Sequence, residues 1–180
     1  RALITGASSG IGRATAIAFA KAGMDLALVA RSRAKLDDLT QELTSLGVTA
    51  KGYSIDLSQV EIVPGAFKEL LADFGPLSIL VNNAGIGYTG LLGEMPLKDW
   101  QYLMDLNLTS VFLTVQACLP GMRTQGHGTI LNVASIAAHN AFPTWGAYSA
   151  SKAALIAFSR VLAAEEQSHG IRVMTVSPGA

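Results

Sequence analysis

Cysteine is nearly absent: Cys118 is the only one in 180 residues. No internal disulfide can form, which suits a reducing compartment such as the cytoplasm. Its apolar helical context makes Cys118 a buried structural thiol rather than a nucleophile. Net charge is missing as well, with 13 Lys and Arg against 13 Asp and Glu. Without a basic surplus, or a basic run interleaved with aromatics, neither nucleic acid nor an anionic membrane surface is an expected partner. The most apolar region, around Leu106 to Met122, is broken by Asn107, Thr109, Ser110, Thr114 and Gln116, so it is a poor membrane span and a better packed helix. His127, His139 and His169 have no ligand spacing with one another or with Cys or acids, which argues against a metal site. Repeats, linkers and low-complexity segments are also missing.

What is present is apolar: 50% hydrophobic residues against 14% charged, enough in 180 residues for one sizeable core and one domain. Short apolar runs alternate with longer helical stretches. After Ala2-Leu3-Ile4 come Asp25 to Ala30, Thr49 to Ile55, Leu77 to Asn82, Gly128 to Ala134 and Ile171 to Ser177, all expected as buried parallel strands. The helices are expected at Arg13 to Ala20, Arg33 to Leu46, Val60 to Phe74, Lys98 to Met122 and Tyr148 to His169, three of them stopped by Gly47, Gly75 and Gly170. Such alternation predicts an α/β fold: a doubly wound parallel sheet with helices on both faces, three layers deep.

Two motifs carry chemistry. Thr5-Gly6-Ala7-Ser8-Ser9-Gly10-Ile11-Gly12 lies between the first strand and the first helix, the arrangement of a phosphate site at a helix N-terminus. Its glycines would serve the sharp turn, the approach of backbone amides to a pyrophosphate, and close helix packing. No Lys followed by Ser or Thr closes the loop, so a nucleoside-triphosphate P-loop is disfavoured. The second motif is Tyr148 and Lys152, four residues apart and 13 residues after Ser135. One helical turn puts that pair on one face. A free tyrosine titrates near ~10, and an ammonium one turn away favours the phenolate, which suits proton transfer. A serine hydroxyl could hydrogen-bond a substrate carbonyl.

These motifs, with Asp56, Asn82-Asn83-Ala84-Gly85, Asn107 and Pro178-Gly179 in order along the chain, resemble the short-chain dehydrogenases/reductases, in the subgroup with T-G-x-x-x-G-x-G and Y-x-x-x-K. The resemblance spans essentially all 180 residues and implies a Rossmann-type NAD(P)-binding domain. It further implies that a family member continues into a substrate-covering loop, helices and a seventh strand, so 1–180 reads as a single domain truncated at both ends and lacking the last edge strand. Reversible hydride transfer between nicotinamide and a carbonyl or secondary alcohol is the implied reaction. Ser135 would polarise the carbonyl and Tyr148 would donate the proton. Lys152 would tune the tyrosine, hold the nicotinamide ribose and pass protons toward a water near Asn107, which would also hold a helical kink. Cofactor contacts are expected from Gly6, Ser8, Ser9, Gly10, Ile11 and Gly12, from Asp56 and Leu57 at the adenine, from Asn83, Ala84 and Gly85 at the ribose, and from Pro178 and Gly179 at the nicotinamide. For Asp56 a helix N-cap is an equal reading. His139, Phe142 and Trp145 are placed at the substrate entrance by position alone.

An acid at the end of the second strand would bond the adenine-ribose hydroxyls and repel a 2′-phosphate. This chain has Ala30 there, followed by Arg31, so NADP(H) is favoured over NAD(H). Arg31 and Arg33 as solvated charges is the alternative, and Ser9, where many NADP-preferring relatives are basic, tempers the preference. The leading specific activity is reduction of a 3-oxoacyl thioester, with sugar alcohols, steroids and small ketones open. Alternatives are a non-catalytic NADP(H) sensor and an epimerase or dehydratase of the related extended group. The resemblance also implies a homo-oligomer paired through helices 98–122 and 148–169. In those helices Leu103, Leu106, Val111, Phe112, Val115, Ala153, Leu155, Phe158 and Val161 exceed what one sheet face should cover.

Overall fold

In the computed structural model, which describes residues 1–179, six parallel strands form one sheet in the order β3-β2-β1-β4-β5-β6. The strands are β1 (Ala2–Thr5), β2 (Leu26–Ala30), β3 (Ala50–Ser54), β4 (Ile79–Asn82), β5 (Gly128–Val133) and β6 (Ile171–Val176). Strand order reverses between β1 and β4, where Ala2 pairs with Ile79 and Ile4 with Val81. Brought side by side without a shared crossover, the loops leaving these two strands diverge and open a crevice at their C-terminal ends.

Helices α1 (Gly10–Lys21) and α2 (Arg33–Thr44) cover one face through Ala16, Ala20, Leu36, Leu39 and Leu43 against Ile4, Leu26 and Leu28. The other face is covered by α3 (Val63–Phe74), α5 (Ser110–Gln125) and α6 (Gly146–Glu166), whose Phe67, Leu70, Val111, Val115, Leu155 and Leu162 pack on Leu3, Val29, Leu80 and Ile130. At the far end of α6, buried Glu166 accepts two hydrogen bonds from the Arg123 guanidinium of α5 and ties the two helices together. The sheet is thus doubly wound, with helices on both faces.

The expected strands and helices are present, with differences that have physical causes. The central strands β1 and β2 are wholly buried, whereas β3 is half-buried and most of β6 is exposed. Each of the latter has a strand neighbour on one side only among the described residues. The helix expected from Val60 starts at Val63, with Pro64 locking its first turn. The long helix expected at 98–122 runs from Leu97 to Gln125, as α4 (Leu97–Met104), a five-residue π segment (Asp105–Thr109) and α5. By length and composition this helix could cross a bilayer, yet half of its most apolar stretch is buried in the fold. The helix expected at 148–169 begins at Gly146 and ends at Glu166, after which Gln167–His169 tightens into a 3₁₀ turn. Much of the apolar surface assigned to an oligomer is covered within the chain: Leu103, Leu106, Val111, Val115 and Leu155 are buried, and Phe112, Ala153 and Val161 are exposed.

Candidate active site

The glycine loop is shaped by what lies beneath it. Gly6 adopts a left-handed φ of 65°, and a Cβ there would sit 2.8 Å from Asn83 Nδ2 and 2.9 Å from Ala84 Cα. A Cβ on Gly12 would collide with the Gly6 carbonyl oxygen and the Asn83 amide. Only hydrogen fits at either position, and this lets the start of α1 press against the loop after β4. Gly12 is buried beneath the loop, in the close-packing role expected of one of the glycines, while Gly10 is exposed with open space before it. Thr5 and Asn83 stitch the two loops together. The Thr5 hydroxyl oxygen accepts from the backbone N–H of Asn83 and Ala84, each at 3.0 Å, and Asn83 Nδ2 donates back to the Thr5 and Gly6 carbonyls. At the N-terminus of α1, Ser9 makes no side-chain cap and no acid stands in the first turn. Its leading N–H groups are left for an anion.

Around this loop runs a cleft of about 310 Å³, lined by Gly6, Ser8, Ser9, Ile11, Ala30, Arg31, Asp56, Leu57, Asn83, Ala84 and Gly85 among others. A second cleft, of about 180 Å³, is lined by Ser135, Tyr148, Lys152 and Pro178, and it shares Ile11, Asn83, Gly85 and Ile86 with the first. The two form one trough across the strand ends. The N-cap reading of Asp56 is overturned: α3 begins seven residues later, and the Asp56 carboxylate instead accepts from the Ser58 N–H and hydroxyl. Gly179, next to Pro178 of the second cleft, is exposed, and a Cβ on it would meet Ile136 at 3.3 Å.

At the far end of the trough, Ser135 caps the 3₁₀ turn Ile136–Ala138, its Oγ accepting from the Ala137 N–H at 3.1 Å. That bond leaves the hydroxyl proton free to donate. Tyr148 lies in the first turn of α6, with the Trp145 ring edge-on at 5.4 Å. Phe142 and His139, from the same loop, are exposed. Lys152 is 4% exposed, and its ammonium donates to the Val133 carbonyl at 2.8 Å, lying 5.7 Å from the Tyr148 ring centre. Burial disfavours the charged amine and brings its pKa from 10.5 down to about 8.

Asn107 sits in the π segment, fully buried. Its Oδ1 accepts from the Ile86 N–H and its Nδ2 donates to the Ile86 carbonyl, both at 2.9 Å, and to Ser151 Oγ at 3.1 Å. Rather than a simple kink, the helix bulges so that one amide pins the loop after β4 against α6. Gly85 forms the adjoining floor, where a Cβ would lie 3.1 Å from Asn107 Oδ1 and 3.3 Å from Lys152 Nζ.

A second buried polar set was not anticipated. Thr114 donates to Asn82 Oδ1, Asn82 Nδ2 to Asn132 Oδ1, and Asn132 Nδ2 to Ser159 Oγ, at 2.8 to 2.9 Å, linking α5, β4, β5 and α6. The signal was Asn132 inside the otherwise apolar run Ile130-Leu131-Asn132-Val133, since a buried amide requires partners. Cys118 is 3% exposed and burial raises its thiol to about 12, so it is no nucleophile at neutral pH.

A family profile described as short chain dehydrogenase matches residues 1–180. The chain belongs to the short-chain dehydrogenase family. It is therefore an oxidoreductase acting between CH–OH and C=O with a nicotinamide cofactor. It is 40% identical to a 3-oxoacyl-[acyl-carrier-protein] reductase of Synechocystis sp. over 179 residues, 99% of this chain and 72% of the relative. Among solved short-chain dehydrogenase structures, a metagenomic short-chain oxidoreductase in complex with NADP superposes with a TM-score of 0.95 at 35% identity, over 99% of this chain and 81% of that one. An NAD⁺-bound xylitol dehydrogenase gives 0.93 at 35% identity, over 99% and 69%.

Proposed function

We propose that the chain is an NADP(H)-dependent reductase of 3-oxoacyl thioesters, with Ser135, Tyr148 and Lys152 as its proton-transfer set. The observation that carries this reading is the single trough that holds Arg31, without a carboxylate partner among the described residues, at one end and those three side chains at the other. The thioester assignment draws on the 40% identity to the Synechocystis reductase. A cytoplasmic location and a homo-oligomer through the exposed faces of α5 and α6 belong to the same proposal, supported by the unpaired Cys118 and by exposed Phe112 and Val161.

The residues present fit a dinucleotide. The uncapped amides at the start of α1 suit its pyrophosphate, and Ala30, in place of an acid, admits a 2′-phosphate beside Arg31. Asp56 and Leu57 would border the adenine, Asn83 to Gly85 the adenine ribose, and Pro178 the nicotinamide. When bound, the nicotinamide supplies or accepts the hydride. Ser135 Oγ–H then donates to the carbonyl oxygen, concentrating charge there, and the Tyr148 hydroxyl transfers its proton as that charge develops. Lys152 holds its ammonium beside Tyr148, and with a pKa of about 8 it exchanges protons readily near neutral pH. Asn107 spends both Nδ2 hydrogens on Ile86 and Ser151 and so fixes the Ile86 backbone and α6, while its Oδ1, which accepts from Ile86 alone, keeps a second lone pair for a water that would link Lys152 to solvent.

The test is a turnover screen with NADPH and NADH against 3-oxoacyl thioesters and small ketones, and with NADP⁺ and NAD⁺ against polyols. Faster NADPH oxidation with the thioester is the expected result. Turnover confined to polyols with NAD⁺ would overturn both the substrate and the cofactor assignment.

A further inference from the structure

Three arginines occur in the stretch from α1 to the start of α2, and their partners differ. Arg13 is paired with Glu42, and Arg33 with Asp37 at 3.1 Å. Arg31 has no carboxylate partner among the described residues; its Nη1 donates instead to the Tyr102 hydroxyl at 3.2 Å. Tyr102 lies on α4, one turn before Leu106, which lines the same cleft. The two side chains thus bridge the end of β2 and α4 across the rim. The backbone beneath Arg31 is held too, because its carbonyl accepts from Ser54 Oγ at 2.9 Å.

We propose that Tyr102 is the positioning residue for cofactor selection, holding Arg31 at the rim for the 2′-phosphate of NADP(H). This rests on the reading of Arg31 as the phosphate contact. A free arginine side chain has many rotamers, and ordering it on binding costs affinity. A carboxylate could order it but would cancel its charge, as at Arg13 and Arg33. A neutral hydroxyl orders it and leaves the charge intact.

The experiment is a fluorescence titration of NADPH and NADH into the wild type, Tyr102→Phe, Arg31→Ala and the double variant. Tyr102→Phe retains the ring, so packing of α4 is preserved. It is expected to weaken NADPH about threefold to tenfold, in keeping with the net worth of one ordinary hydrogen bond at an exposed site, with NADH unchanged within about twofold. In the Arg31→Ala background the same substitution should have no further effect beyond about twofold, since the group it positions is gone. An effect of Tyr102→Phe equal for both cofactors, or none on NADPH while Arg31→Ala still weakens it, overturns the role of Tyr102 alone. If Arg31→Ala leaves NADPH binding intact, or the wild type binds NADH at least as tightly, the Arg31 reading falls and this one with it.

Discussion

The two ends of the trough are built by opposite means. Around the glycine loop the parts that face the cleft are backbone amides and exposed side chains, held by a few bonds from Thr5 and Asn83. Around Tyr148 the supporting parts are buried side chains: Lys152 on the Val133 carbonyl, Asn107 on both polar atoms of Ile86, and the Thr114-Asn82-Asn132-Ser159 chain below. An anion with many oxygens can be gripped by generic N–H donors at a helix start. Proton transfer requires particular side chains at particular heights, and those need a dry, satisfied framework. The difference makes the loop tolerant of side-chain change but not of added bulk, and the Tyr148 end sensitive to loss of single polar atoms.

The sharpest way to break the comparison is Tyr148→Phe. Losing the proton donor is expected to lower kcat by about 10² to 10⁴-fold while NADPH affinity hardly moves; parallel turnover and binding measurements decide it, and near-normal turnover would sink the proposed chemistry. Next in size is Gly12→Ala. Its Cβ has no space between the Gly6 carbonyl and Asn83, so a loss of about 1 to 3 kcal/mol of stability is expected from the forced shift, along with weaker binding of both cofactors. Unchanged melting and binding would show that the loop yields more easily than its packing implies.

Cofactor choice is tested by Arg31→Asp or Ala30→Asp, each expected to move preference from NADPH toward NADH by about tenfold through lost attraction or added repulsion. The readout is the ratio of the two dissociation constants. The smallest effect expected is a gain. Lys152 titrates at about 8 in the folded chain against 10.5 ordinarily, so as pH falls the unfolded chain takes up its proton first. The stability associated with this group is therefore greatest above about pH 10.5, declines toward pH 8 and levels off below it. Lys152→Met should remove that decline and, after the lost bond to Val133, stabilise the protein at pH 7 by about 1 kcal/mol, with activity lost. Thermal melts of both proteins across pH 7 to 10.5 check the sign; a variant less stable at pH 7 than the wild type would contradict it.

Legibility in the sequence followed the range of the interactions. The loop from Gly6 to Gly12 could be placed because a turn, an amide nest and a helix start are all short-range events. Tyr148 and Lys152 could be paired because helical spacing alone puts them on one face. Asn107 was identified as special, but its partners Ile86 and Ser151, 21 and 44 residues away, are supplied by packing. Of the two readings of Asp56, the N-cap failed for a similar reason. The chain makes a separate turn at Ser58, and the helix waits for Pro64.

By itself the sequence determined the alternation of six strands with helices, the doubly wound sheet, the glycine-rich turn into the first helix and the pairing of Tyr148 with Lys152, since periodicity, glycine and spacing act within a turn or a strand. Only the tertiary structure decided that β3 and β6 each have one strand neighbour among the described residues, which of the loop's glycines is packed beneath it, that a π segment presents Asn107, and that Tyr102 meets Arg31 from a helix 71 residues away. Each of those depends on which distant segments come to lie side by side. That is fixed by burial summed over the whole core, and no local stretch of residues records it.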